Sequence, residues 1–220
     1  GSPCIYCTGT FTVTNCTLSA TGSEAACIEG LNSITMTDSS ISGTQKWGVI
    51  IYQSMSGDSS VGTGTFSMNG GTMSNGYSGG PAFFVCNTEA VINLTGATIV
   101  NSSDMLLVAG NASAASDVIS NVNEDWGTAG GEVTFTATDQ ALEGDIILCD
   151  TSSSIDLTLT NSTLEGAINS DNIDCTAELT ISSGSTWTVT GNSYLSSLTN
   201  NGTIAGSGHV YVGGTQVYPE

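Results

Sequence analysis

The chain has 220 residues, of which 39% are apolar and only 10% are charged. Asp and Glu number 20 against one residue of the Lys and Arg class, so the net charge at pH 7 is −19. Such a polyanion cannot neutralise phosphates, which excludes nucleic acid and anionic membrane surfaces as partners. No apolar run approaches the length of a membrane span, so membrane insertion is not expected.

One eight-residue pattern recurs along the chain: apolar, small polar, apolar, small polar, two turn-forming residues, Ser or Thr, apolar. Its copies start, in chain order, at Phe11, Ile34, Phe66, Ile92 and Leu157, with a looser copy at Leu179. A further segment, Val133-Thr-Phe-Thr-Ala, fills the gap between the fourth and fifth copies. Alternation with period two is typical of a strand that has one buried face and one solvated face.

The starts of most copies are too close together for helical crossovers and too far apart for tight hairpins. A repeat of that length holds three short strands and three turns, which is one coil of a parallel β-solenoid. We therefore predict an all-β, right-handed parallel β-helix of about 8–9 coils of roughly 22–26 residues. It forms a single domain over residues 1–220. The gap between Ile92 and Val133 is nearly twice as long as a typical one, which predicts either an insertion or a degenerate coil around residues 101–131.

A second motif, apolar-x-Gly, follows some copies of the first. It ends at Gly43, Gly144, Gly166 and Gly206. Gly144 and Gly166 are separated by one repeat length, so we expect them to stack in adjacent coils. Glycine at such a position is typical of a corner where φ is positive or another backbone lies close.

The T-x-T-rich strands and the closing segment 186–204, TWTVTGNSYLSSLTNNGTI, resemble right-handed parallel β-helix proteins of the pectate-lyase-like superfamily. Within that superfamily they look most like bacterial adhesin-like proteins that are secreted or surface-exposed. The resemblance covers nearly the whole chain and implies a fold rather than a reaction. The lyases of the superfamily generally use Arg or Lys beside calcium, and its hydrolases combine Asp with His, Arg and Lys. This chain has no Arg, and Lys46 and His209 lie at opposite ends of the predicted rod.

Seven cysteines leave at least one thiol free or paired between chains. Cys4 and Cys27 precede Phe11 and Ile34, the starts of two repeats, by the same interval, and Cys149 and Cys175 are separated by close to the length of one coil. Two interpretations stay open. The cysteines pack as small apolar residues in an inward ladder, or the disulfides Cys4–Cys27 and Cys149–Cys175 join adjacent coils.

Acidic residues are densest between Glu143 and Glu178. Three pairs are spaced by about one coil: Glu143 and Glu165, Asp145 and Asp171, and Asp150 and Asp174. Stacked carboxylates without a nearby cation repel each other, which raises one pKa or attracts Ca²⁺. The pairs are therefore interpreted as solvated turn residues, as a calcium site formed by the four Asp residues, or as a catalytic pair of an inverting glycoside hydrolase.

Trp126 lies in the long segment that separates two copies of the repeat. A tryptophan in an insertion either covers the local core or offers a flat platform for a sugar ring. The sequence leaves both roles open, and Trp126 is the candidate for contact with a glycan.

These observations predict a non-enzymatic, extracellular structural or adhesive module of a surface protein or self-assembling filament. The expected partners are other copies, joined end to end through open sheet edges, or a glycan or protein of a cell surface. A carbohydrate-binding module and a carboxylate-dependent glycoside hydrolase are the alternatives. Secretion or cell-surface display follows from an acidic composition rich in Ser, Thr, Asn and Gly. We assign no catalytic residue, and no cofactor apart from the calcium alternative.

Overall fold

The computed structural model describes residues 1–219 and is nearly all β. The strands of the first four coils are β1 (Ile5–Cys7), β2 (Thr10–Thr14), β3 (Thr17–Ala20), β4 (Ala26–Glu29), β5 (Ser33–Thr37), β6 (Ser40–Gly43), β7 (Val49–Tyr52), β8 (Gly64–Asn69), β9 (Thr72–Asn75), β10 (Phe83–Cys86), β11 (Thr88–Thr95) and β12 (Thr98–Asn101). The later strands are β13 (Met105–Gly110), β14 (Gly131–Thr138), β15 (Ala141–Glu143), β16 (Asp145–Leu148), β17 (Ser154–Thr160), β18 (Thr163–Glu165), β19 (Thr176–Ile181), β20 (Thr186–Val189), β21 (Ser193–Leu195), β22 (Ser197–Asn200), β23 (Thr203–Gly206), β24 (Val210–Val212) and β25 (Thr215–Tyr218).

Each of the first six coils contributes one strand to each of three walls of stacked strands. Wall A contains β1, β4, β7, β10, β13 and β16, and a bridge from Ile146 to Ile168 continues it. Wall B contains eight strands, from β2 to β22, all paired in parallel. Wall C is split into β3, β6, β9 and β12, and then β15, β18, β20 and β23. The stacked parallel walls confirm the predicted parallel β-helix. The eight strands of wall B correspond to eight coils.

The register of wall B confirms the eight-residue repeat. One inward ladder runs through Phe11, Ile34, Phe66, Ile92, Phe135, Leu157, Leu179 and Leu198. The next outward ladder is mostly threonine, for example Thr12 opposite Thr35 and Thr136 opposite Thr158. The predicted start of the copy in the gap is wrong by two positions, because Phe135 rather than Val133 is opposite Ile92.

The long spacing in the repeat is one coil with an insertion. Strand β11 pairs directly with β14, so no degenerate coil lies between them. The predicted window of 101–131 is too wide, because β13 belongs to wall A. The inserted segment is residues 111–130, which contain helix α1 (Ala112–Ser116) and a 3₁₀ helix (Glu124–Trp126). No helix within residues 1–219 is long and apolar enough to cross a membrane.

The apolar-x-Gly motif marks a corner of wall C, as predicted. Leu142 is opposite Leu164, so Gly144 and Gly166 stack in adjacent coils. A Cβ atom on Gly166 would lie 2.3 Å from the carbonyl oxygen of Gly144. Glycine is required here because the two backbones pass too close for a side chain.

The two ends of the solenoid differ. At the first coil, Phe11 is 41% exposed although it belongs to the inward ladder, since no strand of residues 1–219 covers it. At the other end β24 stacks on β21, and the chain then reverses so that β25 pairs antiparallel with β24. One end therefore presents open parallel edges, and the other is partly closed by a hairpin.

Candidate functional site

Wall A has two buried faces, unlike the half-solvated wall B. In β10, Phe83 and Val85 point into the main core, whereas Phe84 and Cys86 point outward into a second apolar cluster. Members of this outer cluster from the inserted segment are Ala112, Ala115 and Ile119, with Val122 and Trp126 packed against them. The insertion therefore folds back over the outer face of wall A and creates a small second core.

Trp126 is the outermost aromatic residue of this second core. Its ring centroid lies 4.8 Å from that of Tyr52 and 6.1 Å from that of Trp47. Asn87, which adopts a positive φ of 56°, donates from Nδ2 to the carbonyl oxygens of Trp126 (2.8 Å) and Gln53 (2.9 Å). Its Oδ1 accepts from the amide of Ala129 at 3.0 Å. One asparagine, in the turn between β10 and β11, thus fixes the backbone beside the indole.

A second anchor holds the start of the insertion. Asn111 caps α1 by accepting from the amide of Ala114 at 2.9 Å, and its own amide donates to Asp150 at 2.6 Å. Asp150 also accepts from the amide and hydroxyl of Ser152 and from the hydroxyl of Ser153. Partial burial raises the pKa of Asp150, but these hydrogen bonds outweigh it and hold the pKa below its ordinary value.

A groove of about 350 Å³ opens between Trp126 and the first coil. Three aromatic side chains line it: Tyr6 is 48% exposed, Trp126 is half-buried, and Tyr52 is buried at the floor. The loop between β7 and β8 supplies further lining residues, which are Ser54, Met55, Ser56 and Asp58. We call this the Tyr52–Trp126 groove.

Glu29 lies fully buried beneath this groove. It faces outward from wall A, in register with Tyr52. Its carboxylate accepts hydrogen bonds from the hydroxyls of Tyr6 and Ser54, and Tyr52 donates at 3.4 Å. Its polar contacts are therefore hydroxyl donors, and the ion pair found among residues 1–219 involves a different carboxylate.

The tyrosines that contact Glu29 hold their protons strongly. Burial, followed by the hydrogen bond to Glu29, raises the pKa of Tyr6 from 10.0 to about 12. Burial also raises the pKa of Tyr52, with a further contribution from the nearby Cys27. Both phenols consequently remain neutral donors to the carboxylate at ordinary pH.

The single lysine is committed elsewhere on the same wall. Lys46 Nζ lies 3.0 Å from the buried Glu24 carboxylate, which also accepts from the hydroxyl of Ser23 at 2.6 Å. The ammonium group lies 5.9 Å from the centre of the Trp47 ring. Lys46 therefore compensates Glu24 and leaves the carboxylate of Glu29 to the hydroxyls.

A second groove, of about 450 Å³, lies where wall C is split between β12 and β15. Its acidic lining residues are Asp104, Glu143, Asp145 and Glu165. Glu143 is directly opposite Glu165, which confirms that this pair stacks. Both carboxylates are exposed in the groove.

The four calcium candidates are not brought together. The bridge between Ile146 and Ile168 places Asp145 next to Ala167. The carboxylate of Asp145 accepts a hydrogen bond from the amide of Ala167 at 2.7 Å. The predicted stacking of Asp145 on Asp171 is therefore wrong. Asp150 is occupied by the donors that anchor the insertion, and Asp174 lies with it near Cys175. Within residues 1–219 no three His, Cys, Asp or Glu side chains are placed to hold a metal ion.

The predicted disulfides are not formed, since all seven cysteines are free thiols. Cys27 is opposite Tyr6, not Cys4. The amide of Cys4 donates a hydrogen bond to the carbonyl oxygen of Ala25, two residues before Cys27. The turn between walls A and B is longer in the second coil than in the first, so equal spacing from the repeat does not mean equal position. Burial raises the pKa of Cys149 to about 12 and that of Cys175 to about 11.

The inward-ladder interpretation of the cysteines holds only in part. Cys7 is buried in the main core, whereas Cys27 and Cys86 are buried in the outer cluster. Cys16 is exposed at a turn of the first coil. Burial rather than cross-linking therefore accounts for most of these residues.

Trp126 thus covers the second core and also lines the Tyr52–Trp126 groove.

The residues that sequence reasoning missed are Tyr6, Glu29 and Tyr52. An available signal was the run of unbroken apolar residues in β7 (VIIY) and β10 (FFVC), which is typical of a strand buried on both faces.

Comparisons with known proteins give no relative for this chain: no family model, no curated protein and no solved structure matches it.

Proposed function

We propose that this protein is a non-catalytic adhesive module of a secreted or cell-surface protein and that it binds carbohydrate in the Tyr52–Trp126 groove. The acidic composition and the resemblance of its repeats to adhesin-like β-helix proteins support the extracellular setting. We also propose that the coils are right-handed and that the protein is related to the pectate-lyase-like superfamily. The rigid solenoid serves as the support that presents the groove.

The grouping of Tyr6, Tyr52 and Trp126 in one groove carries the proposal. Aromatic rings offer apolar faces to the C–H side of a sugar ring, and their polar edges stay hydrated. Binding sites combine such surfaces with a few well-placed polar groups, here Ser54 and Asp58. The groove is anchored to wall A through Asn87, so little ordering is needed on binding.

Glycan arrays followed by calorimetry test this function. We expect Trp126→Leu to weaken binding of any captured glycan by up to about tenfold, the upper end of the value of one aromatic contact. Tyr211→Leu is the matched control, because Tyr211 stacks on Tyr194 with centroids 5.0 Å apart in a separate groove near β24. Equal loss in both variants, or no glycan captured by the native protein, would overturn the proposal.

End-to-end association is a second candidate function, favoured by the open first coil. Phe11 is 41% exposed there, and the edges of β1, β2 and β3 have no partner strand within residues 1–219. A second copy can satisfy both the apolar side chains and the backbone groups. Because β25 closes part of the other end, first-coil contacts predict closed dimers rather than long filaments.

Light scattering and negative-stain electron microscopy across a concentration series test this association. We expect rods of double length that revert to single rods in Phe11→Asp, whereas Thr12→Asp, on the solvated face of the same strand, leaves them intact. Single rods at every concentration would reject association, and long filaments would reject the first-coil contact.

The glycoside hydrolase alternative is assigned to the acidic groove of wall C. We propose that the native protein does not turn over glycosides. Incubation of captured glycans with native protein and with Glu143→Gln provides the test. Product formed by native protein but not by the variant would replace the adhesive proposal with an enzymatic one.

A further inference from the structure

The Tyr52–Trp126 groove combines negative charge with aromatic walls. Glu29 is fully buried beneath it and is contacted by hydroxyls of Tyr6, Tyr52 and Ser54. Asp58 and Asp125 are exposed at the rim. The single ion pair in the described part of the chain, Lys46–Glu24, leaves the two rim carboxylates of Asp58 and Asp125 without a cation.

The aromatic rings add a second kind of attraction for a cation. A positive group over the face of Trp or Tyr is attracted by the negative potential of the ring, and the attraction grows when the group is desolvated. Met55 also lines the groove, is 73% exposed and offers a polarisable apolar contact. A neutral sugar would use the rings but would gain little from the carboxylates.

We propose that the groove recognises a quaternary ammonium group, so that the glycan bound by this protein carries a trimethylammonium substituent of the choline type. The methyl groups contact the rings of Tyr6 and Trp126, and the carboxylates of Asp58 and Asp125 supply the counter-charge. A quaternary ammonium suits this site because it has no N–H donors to satisfy and is weakly hydrated. This inference rests on the proposed carbohydrate-binding function.

Choline chloride and its neutral isostere 3,3-dimethyl-1-butanol are the first probes, measured by calorimetry and by tryptophan fluorescence. The two molecules have the same shape and differ in charge. We expect choline to bind at least tenfold more tightly than the isostere, roughly the factor that a partly desolvated cation–π contact gives. Equal affinity for the two, or no response to choline, would overturn the inference.

Two charge variants within the inserted segment distinguish binding in the groove from attraction by the net negative charge of the protein. Asp125→Asn is expected to weaken choline binding several-fold, whereas Asp117→Asn removes the same charge from an exposed position outside the groove. Equal weakening in the two variants would indicate attraction by net charge alone and would overturn the site. Equal unfolding midpoints in urea for both variants and the native protein guard against loss of binding through misfolding.

Three further arms identify the source of the ammonium group and keep the two proposals distinguishable. A choline-substituted polysaccharide, the same polysaccharide without choline, and phosphatidylcholine vesicles are compared. Capture of the substituted polysaccharide alone supports the inference. Equal capture of both polysaccharides would overturn the ammonium inference and keep the glycan function, and capture of vesicles alone would overturn both.

Discussion

The ring centroids of Tyr52 and Trp126 lie 4.8 Å apart, which joins the third coil of wall A to the inserted segment. This contact makes the Tyr52–Trp126 groove part of the solenoid rather than part of a free loop. The backbone at Trp126 is fixed by Asn87 in the fourth coil, and that at Asn111 by Asp150 in the sixth. The groove therefore depends on residues that do not line it.

Replacing Asn87 should loosen the inserted segment without unfolding the solenoid. Asn87→Gly keeps the positive φ accessible but removes two donated hydrogen bonds and one accepted hydrogen bond. At about 1 kcal/mol for each, we expect about 3 kcal/mol less protection of residues 111–130. Hydrogen exchange measures this directly. Unchanged exchange in this segment, or an equal increase in wall B, would contradict the anchoring role.

Gly166→Ala should destabilise the whole solenoid. The added methyl group would lie 2.3 Å from the carbonyl oxygen of Gly144, so the adjacent coil must move. We expect a loss of about 1–3 kcal/mol in the free energy of unfolding in urea. Gly9→Ala is the control, because nothing lies within 4 Å of the equivalent position there. A loss as large for Gly9→Ala would show that steric contact is not the cause.

Stability should fall at high pH through Tyr6. Burial and the hydrogen bond to Glu29 raise its pKa from 10.0 to about 12. The unfolded chain therefore releases this proton first, and the contribution of Tyr6 is fully present below pH 10 and is lost as pH rises towards about 12. The cysteines titrate in the same range, so the informative quantity is the difference between native protein and Tyr6→Phe. If the difference in the free energy of unfolding between native protein and Tyr6→Phe does not change between pH 10 and 12, the raised pKa of Tyr6 is refuted.

The sequence predicts wall B well and wall A badly, for a physical reason. Wall B has one solvated face, so its alternating Thr and apolar residues reveal strand, face and register together. Wall A is buried on both faces, and strands such as β10 (FFVC) carry no alternation that could fix their register. Register there depends on turn length: the interval from Cys7 to Thr10 is shorter than the interval between their partners, Ile28 and Ser33.

The same difference explains why the candidate site was only partly predictable. Trp126 was identified because a tryptophan in an insertion is conspicuous. Tyr6, Glu29 and Tyr52 come together through the register of wall A and through the loop that covers Glu29. The unbroken apolar run of β7 marks a strand that is buried on both faces, but no local pattern marks the meeting of the first three coils.

Lys46→Met should lower the free energy of unfolding, because it leaves the buried carboxylate of Glu24 without its cation. The carboxylate is 7% exposed, and it would keep the hydrogen bond from Ser23 but lose the ammonium group at 3.0 Å. We expect a loss of about 2 kcal/mol, less than for a fully buried pair because Lys46 itself is 34% exposed. The double variant Lys46→Met/Glu24→Gln should recover part of that loss in urea unfolding. Simple additivity of the two changes would argue against the ion pair.

Thiol labelling should reveal one fast-reacting cysteine in the folded chain. Cys16 is exposed, whereas the other six thiols are buried or half-buried. Burial raises the pKa of the buried Cys86 to about 12 and that of the half-buried Cys175 to about 11. A thiol of high pKa provides little thiolate, the reactive form, at about pH 8. We therefore expect a disulfide-exchange reagent to modify one thiol rapidly and all seven after unfolding.

Two variants and the total count make that labelling decisive. Cys16→Ser should abolish the fast phase, and Cys7→Ser, in the same coil, should leave it unchanged. Persistence of the fast phase in Cys16→Ser would place the reactive thiol elsewhere. The count after unfolding also tests the cross-linked alternative, because a single disulfide such as Cys149–Cys175 would lower it from seven to five in the absence of reductant. A count of five would thus show that one pair of thiols approaches closely enough in solution to oxidise.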